Sequence, residues 1–178
     1  TNTTNTPITS NITVIPVANG CDGTPQTFSI TVNPTPGFTK PANVVVCNSG
    51  NIAAINFSGS SVDNTTFRWE NSNTTIGLAI TGNANIPSFT GINTSNSVVI
   101  STITVYPIAN NCEGVPQTFT ITVNPTSAFN KPADVVSCNG EQLQTISFGN
   151  NTVDGTTYSW TNTNPNIGLP VSGTCNLS

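Results

Sequence analysis

Cysteine carries the most chemistry in this chain. Cys21 and Cys112 stand 91 residues apart, as do Cys47 and Cys138, while Cys175 has no counterpart. Zinc would ask for paired spacing such as Cys-x-x-Cys, usually with histidine, and the chain has neither. Without histidine no Ser/His or Cys/His nucleophile can be assembled. The cysteines therefore point to disulfides in an oxidising compartment. Three pairings are open. Cys47 with Cys112 would close one domain, a staple could join neighbouring domains, and sequential pairing would link Cys21 to Cys47 and Cys112 to Cys138. The thiols could also stay free. In the first two pairings Cys21 and Cys138 find partners only in repeats beyond this chain, so a bridge within it is expected to join Cys47 to Cys112. Such a loop could contribute about 4 kcal/mol in the chain-entropy account.

The other reactive side chains carry weaker signals. Asp63/Asp154 and Asp22/Glu113 recur, but each lies beside turn residues, where acids act as solvated turn formers. They show neither the Asp-x-Asp clustering that calcium favours nor the cleft-sharing pair that acid/base catalysis needs. Lys40 and Lys131 recur before proline, a poor setting for a buried Lys-Asn crosslink. Trp69 and Trp160 each follow an aromatic two residues back, Phe67 and Tyr158, which reads as a core tryptophan, with a sugar-stacking platform as the competing reading. Phe38 and Phe129, two residues before Lys-Pro, are expected to cover a domain junction. Asn-x-Ser/Thr triplets such as those at Asn11, Asn64 and Asn73 are expected by chance in a chain so rich in Asn and Thr. We expect no catalytic residue, no cofactor and no metal, and hence no enzyme.

What positions these residues is a repeat. Residues 1–87 laid on 92–178 without a gap match at 44 of 87 positions. A module copied head to tail makes length and repeated surface, whereas an enzyme needs one site made once. Thr1 corresponds to Ile92 and Ser178 to Pro87, both inside a repeat, so the chain reads as an excerpt of a longer polymer. No apolar run is long enough to span a bilayer and no signal peptide opens the chain, which places targeting information outside these residues. Three cations (Lys40, Arg68, Lys131) against seven acids give a net charge of −4. That balance builds no basic stripe for nucleic acid or anionic membrane. Charged residues make up 6% of the chain, against about 25% in ordinary soluble domains. Solubility thus rests on Thr, Asn and Ser, while regularly placed Val, Ile, Phe and Trp supply a core for each copy.

Strict alternation sets Phe28, Ile30 and Val32 against Thr27, Ser29 and Thr31, and Phe119, Ile121 and Val123 repeat it, the mark of half-buried strands. Further strands are expected at 11–17 with 102–108, 44–47, 53–57, 66–71, 78–81 and 88–92. Seven or so short strands per 91 residues, joined by Asn/Gly/Pro turns, predict an all-β antiparallel β-sandwich of immunoglobulin-like type. Prolines in Asn33-Pro34-Thr35-Pro36-Gly37 and its copy end a strand. The boundaries fall there: 1–33 the C-terminal part of a repeat, 34–124 a complete one, 125–178 the N-terminal part of the next. The polar loop 91–96 is the competing boundary.

The stretch Ala18-Asn19-Gly20-Cys21-Asp22-Gly23-Thr24-Pro25-Gln26-Thr27-Phe28, with Ile30-Thr31-Val32-Asn33-Pro34, Val46-Cys47-Asn48, Phe67-Arg68-Trp69 and Ile76-Gly77-Leu78, resembles the PKD-like (polycystic-kidney-disease-like) tandem repeats of large cell-surface adhesins. Those adhesins belong to gliding bacteria with type 9 secretion. The resemblance covers essentially the whole chain. Asn111 departs from it where the first copy has a turn glycine, and Cys175 and Leu177-Ser178 where it has Ala84 and Ile86-Pro87. It implies an extracellular module of a surface filament, a stalk or spacer for gliding motility and attachment. The neighbours of each repeat in the same polypeptide would be its partners, with surface glycans or substratum engaged through other regions. The alternative is a carbohydrate-binding accessory module of a secreted enzyme.

Overall fold

The computed structural model describes residues 1–149 and 153–177. In chain order the strands are β1 (Ile8–Val14), β2 (Val17–Ala18), β3 (Cys21–Asp22), β4 (Gln26–Val32), β5 (Val44–Cys47), β6 (Asn51–Ile52), β7 (Thr66–Asn71), β8 (Thr81–Asn83), β9 (Phe89–Thr90), β10 (Val99–Ala109), β11 (Cys112–Glu113), β12 (Gln117–Asn124), β13 (Ser159–Thr161) and β14 (Ser172–Thr174). Two 3₁₀ turns, Thr74–Ile76 and Pro165–Ile167, are the helical elements among the described residues. The chain is all-β in class.

Residues 34–124 hold the best-formed part. A six-stranded sheet runs β5-β12-β10-β7-β8, with β11 pairing the end of β10. Every pairing is antiparallel except β5 with β12, which is parallel. β6 pairs with β9, and the bridge Ile55↔Ile86 extends that contact. Alternation along β10 and β12 sends Ile103, Val105, Phe119, Ile121 and Val123 to one face, where they are buried with Ile52, Phe57, Trp69, Ile76, Leu78 and Ile86 in a single cluster. At roughly 1.5–3 kcal/mol for each large apolar side chain, this cluster is the main source of stability.

Asparagine does the polar work inside. Asn71 is buried, donates from Nδ2 to the Leu78 and Ala79 carbonyls, and accepts at Oδ1 from the Ser101 hydroxyl and the Asn73 N–H. Asn85 Oδ1 accepts the Phe57 N–H at 2.9 Å. The loop 91–96 is laced to its surroundings: Gly91 N–H donates to Gly50, and Asn93 donates to the Val123 and Ser97 carbonyls.

Before this unit stands a hairpin, β1 with β4, in the register Ile8↔Val32 to Val14↔Gln26, the counterpart of Val99↔Val123 to Val105↔Gln117. Its threonine face is zipped by Thr9–Thr31 and Thr13–Thr27 hydroxyl pairs. Its apolar face, Phe28, Ile30 and Val32 included, is exposed. Within residues 1–178 a covering layer lies over β10–β12 and none over β1–β4 among the described residues. After the unit, the described residues of 125–177 repeat local contacts of 34–86. Trp160 faces Gly173 as Trp69 faces Gly82, Ile146 bridges Leu177 as Ile55 bridges Ile86, and Asn176 Oδ1 accepts the Phe148 N–H at 2.9 Å.

Several expected strands shift. The segment expected at 53–57 keeps only the bridge at Ile55, and pairing falls instead on Asn51–Ile52. The one expected at 78–81 forms at Thr81–Asn83, because Leu78 turns inward and its carbonyl is taken by Asn71. Phe38 belongs to an edge-to-face group with Phe57 and Phe67, centroids 6.1 and 5.3 Å away, and Phe129 forms the same group with Phe148 and Tyr158. Both rings thus pack against aromatics of their own segment, Phe38 half-buried and Phe129 exposed.

The tryptophan contact is tight. A Cβ added at Gly82 would lie 2.2 Å from Trp69 Cζ2, and one at Gly173 would lie 2.3 Å from Trp160 Cζ2. Two residues on, Ala84 and Cys175 hold the left-handed conformation at φ 61° and 63°. Opposite effects follow in chemical denaturation. Gly82→Ala should cost about 1–3 kcal/mol by overpacking. Ala84→Gly should gain about 0.5–1 kcal/mol by relieving the left-handed strain. Equal or inverted signs would refute this packing of Trp69.

Candidate functional site: the cysteine-bearing ends of the sheet

The two recurring cysteine positions occupy opposite ends of one sheet. Cys47 closes β5 and lies opposite Asn124, whose carbonyl accepts the Asn48 N–H at 2.8 Å. Cys112 opens β11 and lies opposite Ala109, at the far end of β10. Between those rows β10 runs its full 11 residues, which at about 3.3 Å per residue makes the separation on the order of 30 Å. A disulfide needs Cα atoms within about 7 Å. In a single copy of the chain the two thiols of the expected Cys47–Cys112 pair therefore lie beyond bridging distance. Cys21 lies opposite Ala18 at the tip of the first hairpin, whose base continues into Asn33. Asn33 Nδ2 donates to the Asn110 carbonyl at 2.9 Å, so that base is pinned to the Cys112 end and Cys21 points away from Cys47. All five thiols are free.

Turn chemistry places each cysteine. Asn110 and Asn111 both have positive φ, 49° and 60°, in the tight turn that delivers Cys112, and Asn19 (49°) and Gly20 (77°) do the same for Cys21. Asparagine tolerates this conformation, so Asn111 replaces glycine without altering the hairpin. Beside Cys138, the Cys138 N–H and the Ser137 hydroxyl, at 3.1 and 3.0 Å, hold the Glu141 carboxyl below the usual carboxylate range.

Charged side chains gather around Arg68. Arg68 donates to Glu113 at 2.9 Å and to Glu70 at 2.7 Å, and its guanidinium lies 3.5 Å above the Tyr106 ring. Glu113, and Glu70 after it, hold the guanidinium protonated above its ordinary range. The group is solvent-facing and its counterparts are Ser159, Thr161, Ile15 and Asp22, so the copies do not share it. Asp63 and Asp154 lie exposed in turns, as expected of solvated turn formers. Lys40 is exposed, and Lys131 pairs with Asp134 at 2.7 Å on the surface, a geometry unlike that of a buried crosslinking lysine. No group of three or more His, Cys, Asp or Glu side chains gathers among the described residues. No helix there is long and apolar enough to cross a membrane.

Trp69 is buried against Gly82, so it presents no face for a sugar. Neither its Nε1 nor that of Trp160 meets a protein acceptor. Sequence reasoning missed the asparagines that pin loops, Asn33, Asn71, Asn85 and Asn93. Recurrence at the same phase was their signal, with Asn124, Asn162 and Asn176 as later copies and Asn2 as an earlier one. The chain matches no family model and no curated protein.

Peptide mapping of the monomeric chain after exposure to oxidised glutathione should yield no Cys47–Cys112 crosslink. Its appearance in a species of monomer mass would overturn the placement of the two thiols at opposite ends.

Proposed function

We propose that this chain is a structural spacer from an extracellular cell-surface adhesin filament, built of immunoglobulin-like, PKD-like β-sandwich repeats of 91 residues with 34–124 as one folding unit. The carrying observation is where the 44 shared positions fall. They include Ile103, Val105, Phe119, Ile121, Val123, Trp69 and Gly82, which within residues 34–124 are core or close-contact positions. The solvent-facing Arg68, Glu70 and Tyr106 are not retained. Selection for one rebuilt fold would leave this pattern, whereas a shared ligand site would keep its surface the same. Uncharged polar composition and recurring cysteines fit an oxidising exterior.

Under this reading the partners are neighbouring repeats, with contact to glycans or substratum made by other regions. Staples between neighbouring units would use a Cys47-type and a Cys112-type thiol, since the sheet puts these at opposite ends. The carbohydrate-binding alternative loses its platform with Trp69 buried.

Removing whole 91-residue repeats from the parent protein should shorten the filament by about 30–40 Å per repeat, the length of its longest strands, while attachment by the remaining regions persists. Electron microscopy of the deletion series reads the length. Saturable binding of a defined glycan to the isolated, folded 178-residue chain would overturn the spacer reading.

A further inference from the structure

Residues 33–37 carry the chain from the β1–β4 hairpin into the 34–124 unit through Asn-Pro-Thr-Pro-Gly. A linker that swivels is commonly rich in Gly and Ser and open to water. This one is stiff by composition. Pro34 and Pro36 fix their own φ, and each confines the residue before it, Asn33 and Thr35, to extended backbone. Four consecutive residues thus have little freedom before any packing is counted.

Packing then fastens the strap along its length. Asn33 Nδ2 donates to the Asn110 carbonyl at 2.9 Å, in the turn between β10 and β11. Pro34 and Pro36 are fully buried, as is Pro107 on β10, and Gly114 just after β11 is buried too. Gly114 is what leaves room: a Cβ there would fall on the Pro36 carbonyl and lie 2.9 Å from Pro107 Cγ. The Gly114 N–H donates to the Pro107 carbonyl at 2.9 Å, and Gly23 makes the same bond to Pro16 at 2.7 Å, so the seat is a regular part of this turn. Beyond the strap Phe38 joins the Phe57 and Phe67 rings, and the Thr39 N–H donates to the Ser58 carbonyl at 2.9 Å. Every partner that holds the strap lies within residues 57–114 of the same chain.

We propose that residues 33–37 form a locked joint, which fixes the direction of the β1–β4 hairpin relative to the 34–124 unit instead of letting the two swivel. β4 ends at Val32, and the next residue already holds Asn110, so no free residue separates the strand from the seat. Bending applied to the hairpin is carried straight into the β10–β11 turn. The copy at 124–128 keeps Asn124, Pro125 and Thr126 and replaces Pro36 and Gly37 by Ser127 and Ala128. The contact with Gly114 is made by a backbone carbonyl, which serine supplies as proline does. In a polymer of 91-residue units, which rests on the reading above, one fixed angle at every junction gives a stiff, regularly coiled rod rather than beads on free linkers.

Nitrogen-15 relaxation and residual dipolar couplings of the full reduced chain test the joint. The Thr35 and Gly37 amides should show order parameters of about 0.85, as rigid backbone does, and couplings from β4 and from β10–β12 should fit one alignment. Gly114→Ala sets a methyl group against the Pro36 carbonyl and should lift the strap, lowering Thr35 and Gly37 below about 0.6 while β10 and β12 stay ordered. Asn33→Ala touches no core residue and carries the test alone if the glycine variant does not fold. It should weaken the hairpin's alignment relative to that of the unit. Order parameters below about 0.6 at Thr35 and Gly37 in the unaltered chain, a separate alignment or none for the hairpin, or an Asn33→Ala chain indistinguishable from the unaltered one would overturn the joint. Swivelling beside a folded 34–124 unit leaves the spacer reading standing as a flexible thread, whereas glycan binding would sink that reading and leave the joint.

Discussion

Covering one face of a two-stranded hairpin is the constraint on which the rest of this structure depends. β10 and β12 place Ile103, Val105, Phe119, Ile121 and Val123 side by side, and Ile52, Phe57, Trp69, Ile76, Leu78 and Ile86 pack with them to close that face from water. β5 adds to the β12 edge, β7 and β8 extend the β10 edge, and Ile52, Ile76 and Ile86 come from the opposite layer. The molecule contains its own control. β1–β4 has the same register and nearly the same apolar residues without that layer, so pairing is set locally by alternation and turn chemistry while burial is set by what lies across.

The polar side chains follow from the low charge. With few ions available, loop ends are tied down by asparagine, a short amide that donates and accepts within a turn. Asn93 and its earlier copy Asn2 show the economy: each reaches the carbonyl two residues before the first proline of the proline stretch, that of Val123 or Val32, and also accepts an N–H two residues on. Composition alone reads such residues as loop material. Their work is to let loops cross the ends of the sheet without leaving backbone groups unpaired.

The β class, the long alternating strands and the core tryptophan were legible in the sequence because a two-residue period and a fixed repeat encode them directly. Thr66–Asn71 and Val44–Cys47 form where alternation and β-branching place them. Ala53–Phe57 misled because its apolar residues alternate like a strand, yet the backbone pairs with its neighbour only at Ile55. The cysteine geometry was hidden for another reason. Spacing along the chain says nothing of which end of a sheet a residue reaches, and that depends on β5 lying parallel to β12, a non-local fact.

That parallel pair has a mechanical consequence. β5 lies near the start of residues 34–124 and β12 ends them, so tension along a chain of such units enters the pair from its two opposite ends. The strands are pulled past each other lengthwise, and the hydrogen bonds between Val44–Cys47 and Ile121–Asn124 stretch together in shear. A hairpin pulled open from one end would instead lose its bonds one at a time, as a zipper does. Each unit thus meets tension with a small, simultaneous bond set at the edge of its sheet, and the buried face behind it stays closed until that set gives way.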